Sequence, residues 1–213
     1  MQILITGANR GIGEAMAASY RAQGHTVLGT ARDGSADVTL DVADPGSIRA
    51  LADVVEGPLD LLVCNAGVYL DKGHTIEKGY RADVWDQSFA VNVTGVFLVI
   101  QALLPKLRQA QAGKIAIISS QMGSDERAPG GSYAYRASKA AALNLGRNLA
   151  TDLKGEGIAV GIYHPGWVRT DMGGEAAEIS VAEAAEGLLA RFDDLSVAKT
   201  GCFETWDGRP HAF

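Results

Sequence analysis

A chain of 213 residues is the size of one α/β domain and can bury a substantial core. A composition of 47% hydrophobic and 21% charged residues excludes extended disorder. The formal net charge of -6 argues against nucleic acid or an anionic membrane surface as the main partner.

The opening MQILITGANR has no basic segment leading into a long apolar run, and no run of about 18 apolar residues follows. The expectation is a cytoplasmic protein without a membrane span. Short apolar runs bounded by Gly, Asn or Pro read as strands: QILITG, HTVLGTA, DVTLDV, LDLLVCNAG, KIAIISS, IAVGIYHPG and GCFETW. Between them, 12–23, 83–109, 135–153 and 181–192 carry apolar residues at three- and four-residue spacing and read as helices, with Leu145, Leu149 and Leu153 forming one stripe. This alternation predicts right-handed crossovers and a single doubly wound parallel sheet of about seven strands with helices on both faces. Only Asp33 to Asp37 separate the second and third strand candidates, so the second crossover is expected to be shortened. No repeat, low-complexity tract or linker divides the chain, and 1–213 reads as one domain.

The first strand runs into TGANRGIGEAMAASY, where Gly7, Gly11 and Gly13 have the spacing G-x-x-x-G-x-G at a strand-to-helix turn. Glycines there permit unusual backbone angles and let a pyrophosphate approach the helix N-terminus, with Asn9, Arg10 and Ile12 completing the loop. A turn that only packs the helix closely is the competing reading. Glu14 stands where a P-loop has its lysine, which excludes that motif. Arg32 ends the second strand 19 positions after Gly13, where an acid would bind the adenosine ribose and an arginine favours a 2'-phosphate. Arg10 adds a second cation, so NADP(H) is preferred. Asp33 is the counterargument, since its carboxylate can bind ribose or pair with Arg32, and NAD(H) stays open.

In SYAYRASKAA, Lys139 follows Tyr135 by four positions and shares its helix face, whereas Tyr133 has Ala137 at that offset. Reducing a carbonyl with a nicotinamide needs a proton for the developing alkoxide. Tyrosine has a pKa of about 10, and a neighbouring ammonium is the expected means of lowering it. On spacing alone, ordinary packing beside a solvated amine is the stronger reading of the pair, and it is the motifs around it that make Tyr135 the candidate acid in reduction and base in oxidation. Cys64 and Cys202 lie far apart, and the histidines form no metal motif, so neither a disulfide framework nor a metal site is expected.

In this order, TGANRGIG, LDV, NAG, VNVTG, SSQMG, YRASK and HPGWVRT resemble the short-chain dehydrogenase/reductase family. GGSYAYRASK, HPGWVRTDMGG and the final GCFETWDGRP look most like its small C-factor and sniffer-like carbonyl reductases. The resemblance implies a Rossmann-like dinucleotide-binding domain. In it, Asp41 and Val42 would flank the adenine, and Asn65, Ala66 and Gly67 would border the cofactor. Pro165, Gly166, Val168 and Thr170 would lie at the nicotinamide and its carboxamide, and Lys139, beside Tyr135, would hold the nicotinamide ribose. Ser120 would be the catalytic serine that stabilises the oxyanion. It precedes Tyr135 by 15 positions, longer than the usual family interval, so Ser124 remains a rival, while Ser119 should face the other side of its strand. Asn92 would support a proton relay through water and the lysine, or satisfy a broken helix turn, or do both. Gln121, Met122, Tyr133, Trp167 and Met172 are candidates for pocket walls, and DMGGEAAEIS is a short substrate lid. The implied activity is NADPH-dependent reduction of an aldehyde, ketone or quinone, reversible toward the alcohol. The alternative is a dinucleotide-binding signalling or regulatory protein of C-factor type. Relatives commonly pair through the helices expected at 83–109 and 135–153, so a homodimer is the expected assembly.

Overall fold

The structure is a computed structural model that describes residues 1–126 and 128–213. Side chains alternate across the strands, and both faces are apolar. Leu4, Leu62, Ile115, Ile117 and Val160 point to one core, while Ile3, Ile5, Leu61, Val63, Ala116 and Tyr163 point to the other. The strands are β1 (Gln2–Thr6), β2 (Thr26–Ala31), β3 (Val38–Thr39), β4 (Leu61–Cys64), β5 (Lys114–Ile118), β6 (Ala159–His164) and β7 (Phe203–Thr205). They form one parallel seven-stranded sheet in the order β3-β2-β1-β4-β5-β6-β7. This is the doubly wound architecture expected from the sequence, including a two-residue β3 after a crossover with no helix.

The helices are α1 (Gly11–Ala22), α2 (Pro45–Val54), α3 (Ala82–Phe89), α4 (Val96–Leu107), α5 (Tyr133–Lys154) and α6 (Val181–Asp194). Met16, Ala17 and Tyr20 of α1 and Leu188, Leu189 and Phe192 of α6 cover one face. Ile48 and Leu51 of α2, five apolar residues of α4, and Ala150 and Leu153 of α5 cover the other. Each fully buried large aliphatic or aromatic side chain contributes roughly 1.5–3 kcal/mol, so the sheet is held from both sides. By length and composition Ala82–Leu107 could cross a membrane, but its Val99, Ile100, Leu103 and Leu107 are buried in this core.

Three elements depart from the sequence reading. Helix α2 was not expected, because it buries only Ile48 and Leu51 and so shows too thin an apolar stripe. Its start is nevertheless marked, since Asp44 accepts a hydrogen bond from the Gly46 N–H at 2.8 Å and Pro45 occupies the first turn. The single helix expected at 83–109 is α3 and α4 joined by a π turn at Ala90–Gly95. Helix α5 begins at Tyr133 rather than Tyr135, which takes both tyrosines into its first turn.

Because all the strands run the same way, the loops after β1 to β6 gather at one edge. The strand order reverses between β1 and β4, where an open parallel sheet leaves a crevice for a ligand.

Candidate active site

The loop from β1 into α1 is shaped by its glycines. Gly7 and Gly11 have φ of 66° and 57°, and a Cβ on Gly13 would lie 2.1 Å from the Gly7 carbonyl oxygen and 2.5 Å from Asn65 Nδ2. Asn65 Nδ2 donates to the Thr6 and Gly7 carbonyls at 2.9 Å, and the backbone N–H groups of Asn65 and Ala66 donate to Thr6 Oγ1 at 3.0 Å. These bonds lock the ends of β1 and β4 together. Arg10, at the N-cap of α1, makes no side-chain cap, and the first N–H groups of the helix open onto the same edge. Asn9, Ile12 and the glycines therefore form a cradle that fits a dinucleotide pyrophosphate.

On the adenosine side, Arg32 is exposed directly after β2. The Asp33 carboxylate is held by the Ser35 hydroxyl and N–H, and Asn9 Nδ2 lies 3.4 Å away. The Ser35 hydrogen bonds hold its pKa below the ordinary value, with Arg32 a smaller cause. Arg10 does not converge with Arg32 as expected. Its guanidinium pairs with Asp171 at 2.8 Å and reaches across to the lid segment. Asp41 Oδ1 accepts from the Ala43 N–H at 2.9 Å. The Val42 carbonyl lies so close to the π turn that a Cβ on Gly95 would come within 2.3 Å of its oxygen.

Tyr135 is 7% exposed and Lys139, one turn on, is 5% exposed, with Nζ 5.7 Å from the Tyr135 ring centroid. Ser120, at the end of β5, accepts from the Met122 N–H at 3.1 Å, and its hydroxyl lies near enough to the Tyr135 phenol to favour the phenolate. Ser119 turns away and donates to the Lys139 carbonyl at 3.0 Å. Ser124 Oγ accepts from the Glu126 N–H at 3.4 Å, and Ser124 does not line the cleft described below. Asn92 sits in the π turn. Its Nδ2 donates to the Val68 carbonyl at 2.9 Å and to Ser138 Oγ at 3.0 Å, and its Oδ1 accepts from the Val68 N–H at 2.9 Å. Ser138 in turn donates to the Tyr135 carbonyl at 2.8 Å, so Asn92 braces both the loop after β4 and the first turns of α5. Gly67 leaves room beside this group, since a Cβ there would lie 3.3 Å from Asn92 Oδ1 and 3.5 Å from Lys139 Nζ.

The electrostatics reverse one expectation. Burial pushes the Tyr135 phenol up to about 12, the neighbouring Ser120 hydroxyl opposes this, and Tyr69 and Asp71 add to the rise. Burial also lowers the Lys139 ammonium to about 8, and its Nζ donates to the Ile118 carbonyl at 2.9 Å. Desolvation thus dominates at both groups, the expected lowering of Tyr135 by the lysine is not found, and Tyr135 is held in its acid form.

A cleft of about 950 Å³ opens over Ser120 and Tyr135. Ile12, Pro165, Gly166, Val168 and Thr170 lie along it, as do Gln121, Met122, Trp167 and Met172. Tyr133 does not. It is 37% exposed, and its ring lies edge-on to Tyr80 at 5.4 Å. The wall expected from Tyr133 is supplied by Tyr69, whose ring stacks on Tyr135 with centroids 4.2 Å apart. His164 and His211 both border the cleft, as does Lys72. The 171–180 lid has no helix or strand and is tied down from two sides, by Arg10 and by Lys72 Nζ donating to the Met172 carbonyl at 3.0 Å. Tyr69, Asp71, Lys72 and the C-terminal wall were missed because no local motif marks residues that meet the site through the tertiary fold.

The profile of the short chain dehydrogenase family matches residues 1–179. The C-signal protein of Myxococcus xanthus is 39% identical over 165 residues, covering 76% of this chain and 97% of that protein. Among solved structures, the NADPH-bound carbonyl reductase from chicken fatty liver superposes with a TM-score of 0.91 at 31% identity, covering 100% of this chain and 98% of the other. The carbonyl reductase Sniffer of D. melanogaster superposes with a TM-score of 0.93 at 27% identity, covering 100% and 99%.

Proposed function

Because the chain belongs to the short-chain dehydrogenase family of oxidoreductases, we propose that it reduces a carbonyl compound, an aldehyde, ketone or quinone, to the alcohol with NADPH. One observation carries this reading: Tyr135 and Ser120 line one cleft side by side, with Lys139 one helical turn behind. When bound, the dinucleotide supplies the hydride that the carbonyl carbon accepts. Ser120 donates to the carbonyl oxygen and stabilises the charge developing on it. Tyr135 gives that oxygen its proton, and in the oxidative direction its phenolate takes a proton from the alcohol. Lys139 would hold the nicotinamide ribose through its ammonium, and Asn92 keeps Val68 and the start of α5 in register.

NADPH is preferred over NADH because Arg32 is exposed at the end of β2 and donates no side-chain hydrogen bond among the described residues, while Asp33 is engaged chiefly by Ser35 and Asn9. The NADPH bound by the chicken enzyme supports the same preference. Arg32→Ala is expected to weaken NADPH binding by about 10–100-fold, the scale of one charge-assisted hydrogen bond, with little change for NADH. Equal losses for both cofactors in fluorescence titrations would remove Arg32 from the phosphate site.

The pH dependence follows from Lys139. Its pKa is lowered to about 8, so the ammonium is present below that value and lost as the pH rises through it. The kcat/KM for NADPH is accordingly expected to be flat below about pH 7 and to fall through about pH 8, reporting the free enzyme. A profile flat to pH 10 would exclude that role for the lysine.

A second reading is supported by the C-signal relative, which this chain matches over 97% of that protein's length. In it the protein binds a dinucleotide for a signalling or regulatory purpose. A panel of aldehydes, ketones and quinones, with NADPH oxidation and products both measured, separates the two. Tight NADPH binding without turnover on any member favours regulation, and alcohol formed in step with NADPH consumed favours the reductase.

A further inference from the structure

We propose that Asp71 is a positioning residue for proton transfer: its carboxylate, reaching in from the loop after β4, caps helix α5 and fixes the turn that carries Tyr135. The proposal rests on Tyr135 being the acid, as argued above.

A helix is ordinarily capped by the residue just before it. Here that residue, Ser132, has φ of 50° and ψ of 42°, a left-handed conformation unusual outside glycine, and its side chain makes no cap. Its hydroxyl instead meets the Tyr69 hydroxyl at 2.5 Å. The open N–H groups of α5 are met by a residue more than sixty positions earlier. Asp71 Oδ2 accepts from Ala134 N at 2.8 Å and from Tyr135 N at 3.4 Å, the two positions that a local cap would serve. Asp71 is 0% exposed, and its Oδ1 has no hydrogen-bond partner among the described residues. Burying a carboxylate with one oxygen unpaired is costly, whereas a serine hydroxyl in the usual conformation would start the helix without that cost. A need to start the helix therefore does not explain the arrangement.

What the arrangement adds is control of Tyr135. Val68 is pinned by two hydrogen bonds to Asn92, Tyr69 stacks on the Tyr135 ring, and Asp71 holds the Tyr135 backbone N–H. The loop after β4 thus grips the tyrosine at its ring and at its backbone, which sets the hydroxyl against Ser120. Placing a reacting group within a fraction of an ångström is worth orders of magnitude in rate. The carboxylate also disfavours a phenolate beside it, so it helps to keep the proton on Tyr135. The other ionisable groups around Tyr135 are Tyr69 on the same loop, Lys139 on α5, His164 at the end of β6, and Glu126 and Lys72 along the cleft.

The test uses the full-length protein, with NADPH and 4-nitrobenzaldehyde for reduction and NADP+ and 4-nitrobenzyl alcohol for oxidation. Asp71→Ala is expected to lower kcat by about 10–100-fold while the Kd for NADPH stays within about threefold. Asp71→Asn keeps an acceptor oxygen without the charge. It is expected to restore most of kcat and to move the rise of oxidative kcat with pH about one unit lower, because the repulsion of the phenolate is gone. If both variants alter only the melting temperature, with kcat and the pH profile unchanged, Asp71 is a structural cap and the proposal fails. Tyr135→Phe is run alongside. If that variant keeps full turnover, the assignment of Tyr135 falls and this proposal falls with it, whereas an inactive Tyr135→Phe with an unmoved Asp71→Asn profile overturns the role of Asp71 alone.

Discussion

Tyr135→Phe is expected to lower kcat for NADPH-dependent carbonyl reduction by about 10²–10⁴-fold, the usual contribution of one positioned acid. The substitution is narrow in its effect. Phenylalanine keeps the burial of the ring and its stacking on Tyr69 at 4.2 Å, and it leaves untouched the backbone N–H that Asp71 holds. Only the hydroxyl, which faces the cleft beside Ser120, is removed. The loss should therefore appear in kcat, with the KM for NADPH changed by less than about threefold, the pattern for an interaction made in the transition state. Residual turnover above the uncatalysed rate should persist, because Ser120 still holds the carbonyl oxygen. Turnover equal to the parent enzyme would show that the proton comes from another group.

The direction of the Tyr135 shift bears on that experiment. From the sequence, a lysine at i+4 implies a phenol made more acidic. In the fold, both side chains are removed from water, and desolvation acts against the charged form of each, the phenolate and the ammonium alike. A sequence can place two residues on one helix face, but it does not state how deeply that face is buried.

The same boundary divides the rest of the site. The alternation of strands with helices, the glycine loop and the register of Tyr135 with Lys139 are periodic or local, so they could be read from residues a few positions apart. The roles of Tyr69 and Asp71 depend on a loop after β4 meeting the start of α5, a contact between segments more than sixty residues apart with no shared pattern. Tyr133 was misplaced for a related reason. Helix α5 starts two residues earlier than the apolar spacing suggests, and its first turn rotates Tyr133 outward to Tyr80. Helix α2 escaped notice although Asp44 and Pro45 are sound start signals, because a helix that buries two side chains has little periodicity to detect.

Gly13→Ala is expected to destabilise the fold by about 3 kcal/mol and to abolish measurable dinucleotide binding. Overpacking by one methyl group ordinarily costs about 1–3 kcal/mol. Here the new Cβ would sit 2.1 Å from a backbone oxygen, which cannot swing aside as a flexible side chain does. Relief requires moving the Gly7 carbonyl or the Asn65 amide, and that breaks the bonds at 2.9 Å that join the ends of β1 and β4, each worth about 1 kcal/mol. The cradle for the pyrophosphate is built from the same backbone, so stability and binding should fail together. Gly155→Ala is the matched control: Gly155 has φ of -66° at the end of α5, and nothing lies within 4 Å of its added Cβ. That variant should be neutral or gain up to about 1 kcal/mol through a less flexible unfolded chain. Urea unfolding and NADPH titration of the pair separate crowding at the loop from a general cost of replacing glycine. A Gly13→Ala protein that matches Gly155→Ala in both measurements would show that close approach of α1 to β4 does not shape the cofactor site.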